Sequence, residues 1–165
     1  MDCSHIQFCV AEGGSLCDPR KSQIDLSQLQ ALFKLGAFWA EDRRLEDLSV
    51  AIANSEPTIS AWDGERLIGF ARATSDGIYR ATIWDVVIHP DYRGAGLGRK
   101  LVETVLSHPR MNRVERVYLF TTYQQRFYEK IGFERNSSST MVLYNHPLAT
   151  SLHAEEIQFQ ESPGG

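Results

Sequence analysis

The stretch Val86-Val87-Ile88-His89-Pro90-Asp91-Tyr92-Arg93-Gly94-Ala95-Gly96-Leu97-Gly98-Arg99-Lys100-Leu101 joins an apolar strand to an amphipathic helix through a turn with three glycines in five positions. Such a turn lets the backbone adopt positive φ and approach a ligand closely. A helix starting near Gly96 aims its unpaired N–H groups and the positive end of its dipole at whatever occupies the turn. Arg93 adds a full charge and a planar donor fork suited to phosphate oxygens. The combination reads as a cradle for a pyrophosphate, with Gly94, Ala95, Gly96, Leu97, Gly98 and Arg99 as its amide lining. Two better-known glycine loops do not fit. A Walker loop needs Gly-Lys followed by Ser or Thr, but Gly98 is followed by Arg99, and the dinucleotide fingerprint needs a glycine where Arg99 stands.

The rest of the chain alternates strand and helix signals. Ile6, Phe8 and Val10 alternate within His5 to Val10, a first strand. Leu26, Leu29, Leu32, Phe33 and Gly36 to Phe38 mark one helix, and Leu45, Leu48, Ile52 and Ala53 a second. Thr58 to Trp62 and Leu67 to Thr74 flank the turn signal Asp63-Gly64, which predicts an antiparallel hairpin. Arg80 to Ile88 carries a nearly unbroken apolar run, as a central strand covered on both faces does. A third helix spans Gly96 to Ser107, a strand Val114 to Thr121, and a fourth helix Gln124 to Ile131, closed by Gly132. Phe133 to Arg135 and Thr140 to Tyr144 read as a closing hairpin. The fold class is therefore α/β: a mostly antiparallel sheet of about six or seven strands with one parallel pair, flanked by about four helices. We expect one domain over residues 1–146 and a loosely attached tail over 147–165.

Arg93, Gly96 and Gly98 form Arg-x-x-Gly-x-Gly, which resembles the acyl-CoA loop of the GNAT acetyltransferase superfamily. Phe127-Tyr128-Glu129-Lys130-Ile131-Gly132-Phe133 resembles that family's helix-ending Phe-Tyr-x-x-x-Gly-Phe segment. Ile68 to Gly77 and Ala81 to Val87 further resemble the cyanobacterial and plastid branch that includes plant serotonin N-acetyltransferases. Thr121-Thr122-Tyr123 departs from that branch, replacing an acidic segment.

The resemblance implies that Trp84 to Ile88 and Val117 to Thr121 splay apart to admit the pantetheine arm of acetyl-CoA, the cosubstrate. Backbone groups of Val86, Val87 and Ile88 then bind the arm as a strand edge and polarise the thioester carbonyl. Tyr128 matches the family's usual general acid. Asp85 interrupts an apolar strand, where an unpaired carboxylate is costly, so it is either a base or amine anchor, or one partner of a salt bridge. His89, alone before Pro90, reads as a turn residue. Trp84, Tyr123, Phe38 and Trp39 are candidate walls of an acceptor pocket. No cysteine lies near the slot, so direct attack in a ternary complex is expected.

The acceptor implied is an arylalkylamine such as serotonin, or a lysine or N-terminal amine of a protein. A polyamine or aminoglycoside acceptor, or a non-catalytic acyl-CoA-binding module, are the alternatives. The oligomeric expectation is a monomer or homodimer.

Composition bounds these readings. The chain of 165 residues carries a net charge of −4, yet residues 91–135 hold nine Lys or Arg against five Asp or Glu. That local excess suits an anionic cosubstrate on an acidic protein, while the overall acidity disfavours nucleic acid. Cys3, Cys9 and Cys17 lack metal-type spacing, which predicts free thiols and no metal. Residues 1–20 have no continuous apolar core and nothing approaches the roughly 18 residues of a membrane span, so no membrane partner is expected. The expected location is the cytoplasm or a plastid stroma.

Overall fold

The computed structural model describes residues 3–11 and 23–145, which divide into two units after Gly132. The first unit holds strands β1 (Gln7–Val10), β2 (Thr58–Asp63), β3 (Arg66–Ser75), β4 (Arg80–Ile88) and β5 (Arg116–Tyr118). Its helices are α1 (Leu26–Gly36), α2 (Leu45–Ala53), α3 (Leu97–Ser107) and α4 (Gln125–Glu129). Short 3-10 turns cover Phe38–Ala40 and Pro90–Tyr92.

The five strands form one sheet in chain order. β1 to β4 pair antiparallel, and β4 pairs with β5 in parallel. Local chemistry sets the helix starts. Asp25 accepts hydrogen bonds from the Ser27 and Gln28 backbones at 2.9 and 3.1 Å, capping two of the otherwise unpaired first-turn donors of α1. Gln28 then ties α1 to the β2–β3 hairpin, its amide donating to the Glu65 carbonyl at 3.2 Å and its oxygen accepting from Leu67 N at 2.8 Å.

Apolar residues at helical spacing explain the layering. Leu29, Leu32 and Phe33 of α1 and Leu48 of α2 are buried with Trp62, Leu67, Phe70 and Val87 of the sheet. The Phe33 and Phe70 rings meet edge to face at 5.9 Å. Leu97, Leu101, Val102 and Val105 of α3 bury a second stripe, and Gly98 lies against Ile88. Because successive strand residues point to opposite faces, Val87 serves the α1 side and Ile88 the α3 side.

Two expectations need correction. Phe133 to Arg135 and Thr140 to Tyr144 form no strands, so the sheet has five strands among the described residues rather than six or seven. The polar run between them bonds locally, Asn136 Nδ2 donating to Ser138 Oγ at 2.8 Å, and such bonds compete with a ladder. Met141, Val142 and Leu143 are strongly exposed. Cys3 is a free thiol, but Cys9, buried on β1, is disulfide-bonded. An odd count argues against a framework of bridges without excluding one pair. Cys17 and the tail expected over 147–165 lie outside the described residues.

Phe33 is completely buried at the junction of α1 and the sheet. Phe33→Ala is expected to lower the unfolding free energy by about 3 to 5 kcal/mol. Urea unfolding followed by tryptophan fluorescence measures this as a reduced midpoint with an unchanged slope.

Candidate active site

β4 is the strand on which the site is built. Its parallel ladder with β5 runs only through Arg80↔Arg116, Ala81↔Val117 and Thr82↔Tyr118. Beyond Thr82 the two strands have separated, so Ile83 to Ile88 have no ladder partner on the β5 side. This is the splay expected between Trp84–Ile88 and Val117–Thr121, with β5 itself shorter than the expected Val114–Thr121. Trp84 and Phe120 stack across it, centroids 5.6 Å apart.

On its other edge β4 is interrupted. Phe70 pairs with Val87 and Arg72 with Trp84, so Asp85 and Val86 together oppose Ala71 alone, which is a β-bulge. Asp85 has φ +56°. Asp tolerates the left-handed region better than most residues, but the conformation still costs about 1 to 2 kcal/mol. Two guanidinium groups hold it. Asp85 Oδ2 accepts from Arg43 Nη1 at 2.6 Å and from Arg72 Nε at 2.7 Å, and the side chain is 4% exposed. Burial pushes the carboxyl up, but the hydrogen bond and charge of Arg43, joined by those of Arg72, outweigh it and hold the group below the ordinary carboxylate value. Of the two roles open from sequence, the geometry matches the salt bridge. A carboxylate doubly bonded to cations is a poor base.

Arg43 also lies over the Phe33 ring at 5.6 Å, and Arg72 over Trp84 at 5.9 Å while donating to Ser55 Oγ. The bulge is thus locked to both the α1–α2 connection and β3. Neither arginine stands out in sequence, and only the isolated Asp85 announces that a cation must meet it.

The loop after β4 has the conformation its glycines predict. Gly94 and Gly96 have φ of +81° and +80°, and a side chain at either would meet no heavy atom within 4 Å. Gly96 starts α3 without a side-chain cap, so the first-turn N–H groups of Leu97, Gly98 and Arg99 carry no side-chain acceptor. A Cβ at Gly98 would lie 3.4 Å from the Phe127 ring of α4, in ordinary contact with it.

Arg93 Nε donates to the Ile88 carbonyl at 3.2 Å and Nη2 to the Gly36 carbonyl at 3.1 Å. Two of its five donors therefore fasten the loop to the end of β4 and to the C-terminus of α1, where a cation also complements the helix dipole. Arg99 pairs with Glu103 one turn on at 2.7 Å, and Lys100 Nζ sits 4.7 Å above the Phe8 ring. Ala95 is exposed at the loop tip, and Val87 and Ile88 turn their side chains into the core.

Tyr128 lies on α4 with its ring edge-to-face on Phe127 at 4.9 Å. Burial pushes its hydroxyl up to about 12, so it stays protonated across the neutral range. Of the other aromatics considered, Phe38 and Trp39 pack on each other at 5.2 Å, and both remain half or more exposed, as does Tyr123. Among the described residues no helix is long and apolar enough to cross a membrane.

Parallel strands that part in front of a helix opened by glycine without a side-chain cap are the arrangement this sheet presents. The profile of the acetyltransferase (GNAT) family matches residues 24–133, and the chain belongs to that family. A GNAT-family structure from Xanthomonas campestris pv. campestris superposes with a TM-score of 0.69 and 26% identity, covering 85% of this chain and 93% of that one. Among curated relatives, the uncharacterized N-acetyltransferase ycf52 of Gracilaria tenuistipitata var. liui is 40% identical over 111 residues, 64% of this chain and 61% of its own length. The chloroplastic GCN5-related N-acetyltransferase 2 of Arabidopsis thaliana is 34% identical over 147 residues, 76% of this chain and 56% of its own. The histone acetyltransferase TAP1 of Glycine max is 35% identical over 137 residues, 75% of this chain and 58% of its own. The chain thus spans about three fifths of the length of the relatives it matches.

Asp85→Ala removes the carboxylate oxygen that two partly buried arginines share and is expected to cost about 3 kcal/mol of stability. Thermal unfolding at neutral pH measures it. Asp85→Asn keeps the tolerance for positive φ and one oxygen acceptor, so its melting temperature should fall between those of Asp85→Ala and the native chain.

Proposed function

We propose that this protein is an acetyl-CoA-dependent N-acetyltransferase that acts on a primary amine by direct attack. The observation that carries this reading is the strand edge of β4 from Ile83 to Ile88, left without a β5 partner and running directly into the open loop of Gly94 and Gly96. When bound, acetyl-CoA supplies the acetyl group as a thioester, activated toward attack by nitrogen.

The chain's own groups fit such a ligand. Backbone N–H and C=O of Val86, Val87 and Ile88 pair with the amides of its arm as a neighbouring strand would. An N–H of this segment, fixed by the bulge, faces the thioester oxygen, and losing one such donor typically costs about 2.7 to 4 kcal/mol in the barrier. Amides of Gly94 to Arg99, the α3 dipole and the charge of Arg93 hold the pyrophosphate.

As the amine nitrogen bonds to the carbonyl carbon and the carbon–sulfur bond breaks, negative charge builds on sulfur. Tyr128 is the donor for that charge. With its hydroxyl near 12 and a thiol near 8.5, full proton transfer is uphill by about 3.5 pK units, roughly 5 kcal/mol. Tyr128 therefore works first as a hydrogen-bond donor to the leaving sulfur, and the amine's proton departs to solvent rather than to Asp85. The Arg43–Asp85–Arg72 group carries a net charge of +1. That charge favours an acceptor that arrives as free base and weighs against a polyamine or aminoglycoside.

An arylalkylamine acceptor is supported by the stacked Trp84 and Phe120 at the splay. A protein amine is supported by the relative named as a histone acetyltransferase and by the exposed Phe38–Trp39 pair, which suits an extended partner. The chloroplastic relative supports action in a plastid or a plastid-like compartment.

The test is thiol release from acetyl-CoA against serotonin, tryptamine, spermidine, lysine peptides and peptides with free N-termini, with coenzyme A binding followed by calorimetry. Turnover on one class fixes the acceptor; tight binding without turnover on any would replace the enzyme with a binding module. Tyr128→Phe is expected to lower kcat by about 10² or more with coenzyme A affinity unchanged. Because the tyrosine stays protonated, the native rate should not decline on the alkaline side between pH 8 and about 10.

A further inference from the structure

Outside the reacting centre, a second cluster of titratable groups joins the β2–β3 hairpin to the turn just before the glycine loop. Asp63 and Arg66 face each other across the hairpin as the pair flanking its turn. Tyr92 donates its hydroxyl hydrogen to Asp63 Oδ2, and Asp63 Oδ1 lies 3.1 Å from His5 Nε2. Arg66 stacks over the Tyr92 ring at 5.9 Å, and its Nη2 lies 2.8 Å from Nε2 of His89. His89 is 6% exposed, and its ring meets Tyr92 edge to face at 5.8 Å. The two charged residues of the hairpin therefore grip both ends of His89-Pro90-Asp91-Tyr92, and Arg93 follows immediately. We propose that Asp63 and Arg66 are positioning residues for the loop of Arg93 to Gly98, and that His89 is the pH-sensitive latch through which the hairpin holds it. The proposal rests on the acetyl-CoA reading only for what the loop binds.

The geometry dictates the protonation state in which the latch is closed. A guanidinium only donates, so Nε2 must keep its lone pair to accept from Arg66. Nδ1 accepts from Asp91 N–H at 3.2 Å as the cap of the Pro90–Tyr92 turn, with Asp91 Oδ2 3.7 Å away. Both ring nitrogens thus face a donor, and the neutral ring, which carries one proton, can accept from only one of the two at a time. A second proton would set Nε2–H against an Arg66 N–H at 2.8 Å, and the contact would open. Burial holds the His89 imidazole below its ordinary value, helped by the charges of Arg66 and Arg93 and opposed by Asp91. From α1 the facing residues are Gln28, Leu32 and Leu35, none of which titrates, and they line with Arg66 and His89 a cleft that gives protons access to the ring.

The folded value lies below the unfolded one of about 6.5. The native clamp thus binds fewer protons than the unfolded chain. Its contribution is complete above about pH 6.5 and is lost as pH falls through the lowered folded value.

The test compares coenzyme A dissociation constants at pH 7.5 and 5.5 for the native chain and His89→Gln, whose amide oxygen can accept from Arg66 without titrating. The ligand's own phosphates titrate equally in both, so only the difference between the two profiles counts. The native chain should lose more affinity on acidification than His89→Gln, by up to about tenfold, the limit that one pK unit of coupling sets once pH lies below both values. Tyr92→Phe, which removes the Asp63 bond but leaves His89, should weaken binding at both pH values by the same factor. Superimposable profiles for the native chain and His89→Gln would overturn the latch. Amide exchange of residues 91–98 in the free protein, corrected for intrinsic rate, gives a readout independent of coenzyme A. Faster exchange at pH 5.5 in the native chain alone supports the clamp, and no difference between native and variant overturns it. Absence of coenzyme A binding at either pH would refute the acetyl-CoA reading, and the exchange result would still decide the clamp.

Discussion

The carboxylate of Asp85, buried between Arg43 and Arg72, is the interaction on which the site depends. Without it the bulge would leave a residue at φ +56° with nothing to hold it. The bulge itself follows from register. β3 contributes one residue where β4 contributes two, and the extra residue strengthens the local twist. That twist occurs three residues after β4 has made its last pair with β5 at Thr82. The parallel ladder and the antiparallel ladder therefore fail within one short stretch of one strand. A cleft in the middle of a sheet forms there at modest cost, because the bulge is stabilised by ion pairs and pairing resumes at once, Val87 opposite Phe70 and Ile88 opposite Gly69.

The net charge of this cluster also shapes the chemistry. An unpaired buried carboxylate would have been raised and made available as a base, whereas two guanidinium partners hold it low and occupied. The proposed active centre then combines a protonated tyrosine, a fixed strand edge and a compensated acid. Catalysis built from such parts relies on positioning and on donors aimed at developing charge rather than on strong acid–base groups. On that reading most of the groups assigned to the ligand are backbone.

Most of this was legible from sequence because the informative features are local. The glycine loop, the apolar run of β4, the Asp63-Gly64 hairpin and the helix over Leu97–Ser107 each follow from residues adjacent in the chain, and the strand and helix limits fall within a few positions. Asp85 stood out as an acid in an apolar strand. Its partners did not, since Arg43 reaches it across 42 residues of chain and Arg72 lies one strand away. For the same reason the grip of Asp63 and Arg66 on His89 and Tyr92 was invisible: a histidine before proline looks like a turn residue until a guanidinium is found on its far nitrogen. The hairpin expected over Phe133–Tyr144 failed differently. Its apolar pattern is compatible with strands, but strands need a ladder, and β5 is only three residues long.

The segment from Gly36 to Arg43 shows how the two halves of the cleft are kept in register. Its first residue gives its carbonyl to Arg93 of the glycine loop, and its last gives a guanidinium to Asp85 of the bulge. Gly36 tolerates that closeness because a Cβ there would sit 2.8 Å from Val87 and 3.3 Å from Arg93. Between the two attachments lie Phe38 and Trp39, exposed and packed only on each other among the ring contacts of the described residues. An acceptor that pressed on these rings would be pressing on a strap fastened at one end to the glycine loop and at the other to the β4 bulge. The two binding events would then share one short, doubly anchored element, and any displacement of it by one ligand would be felt by the other.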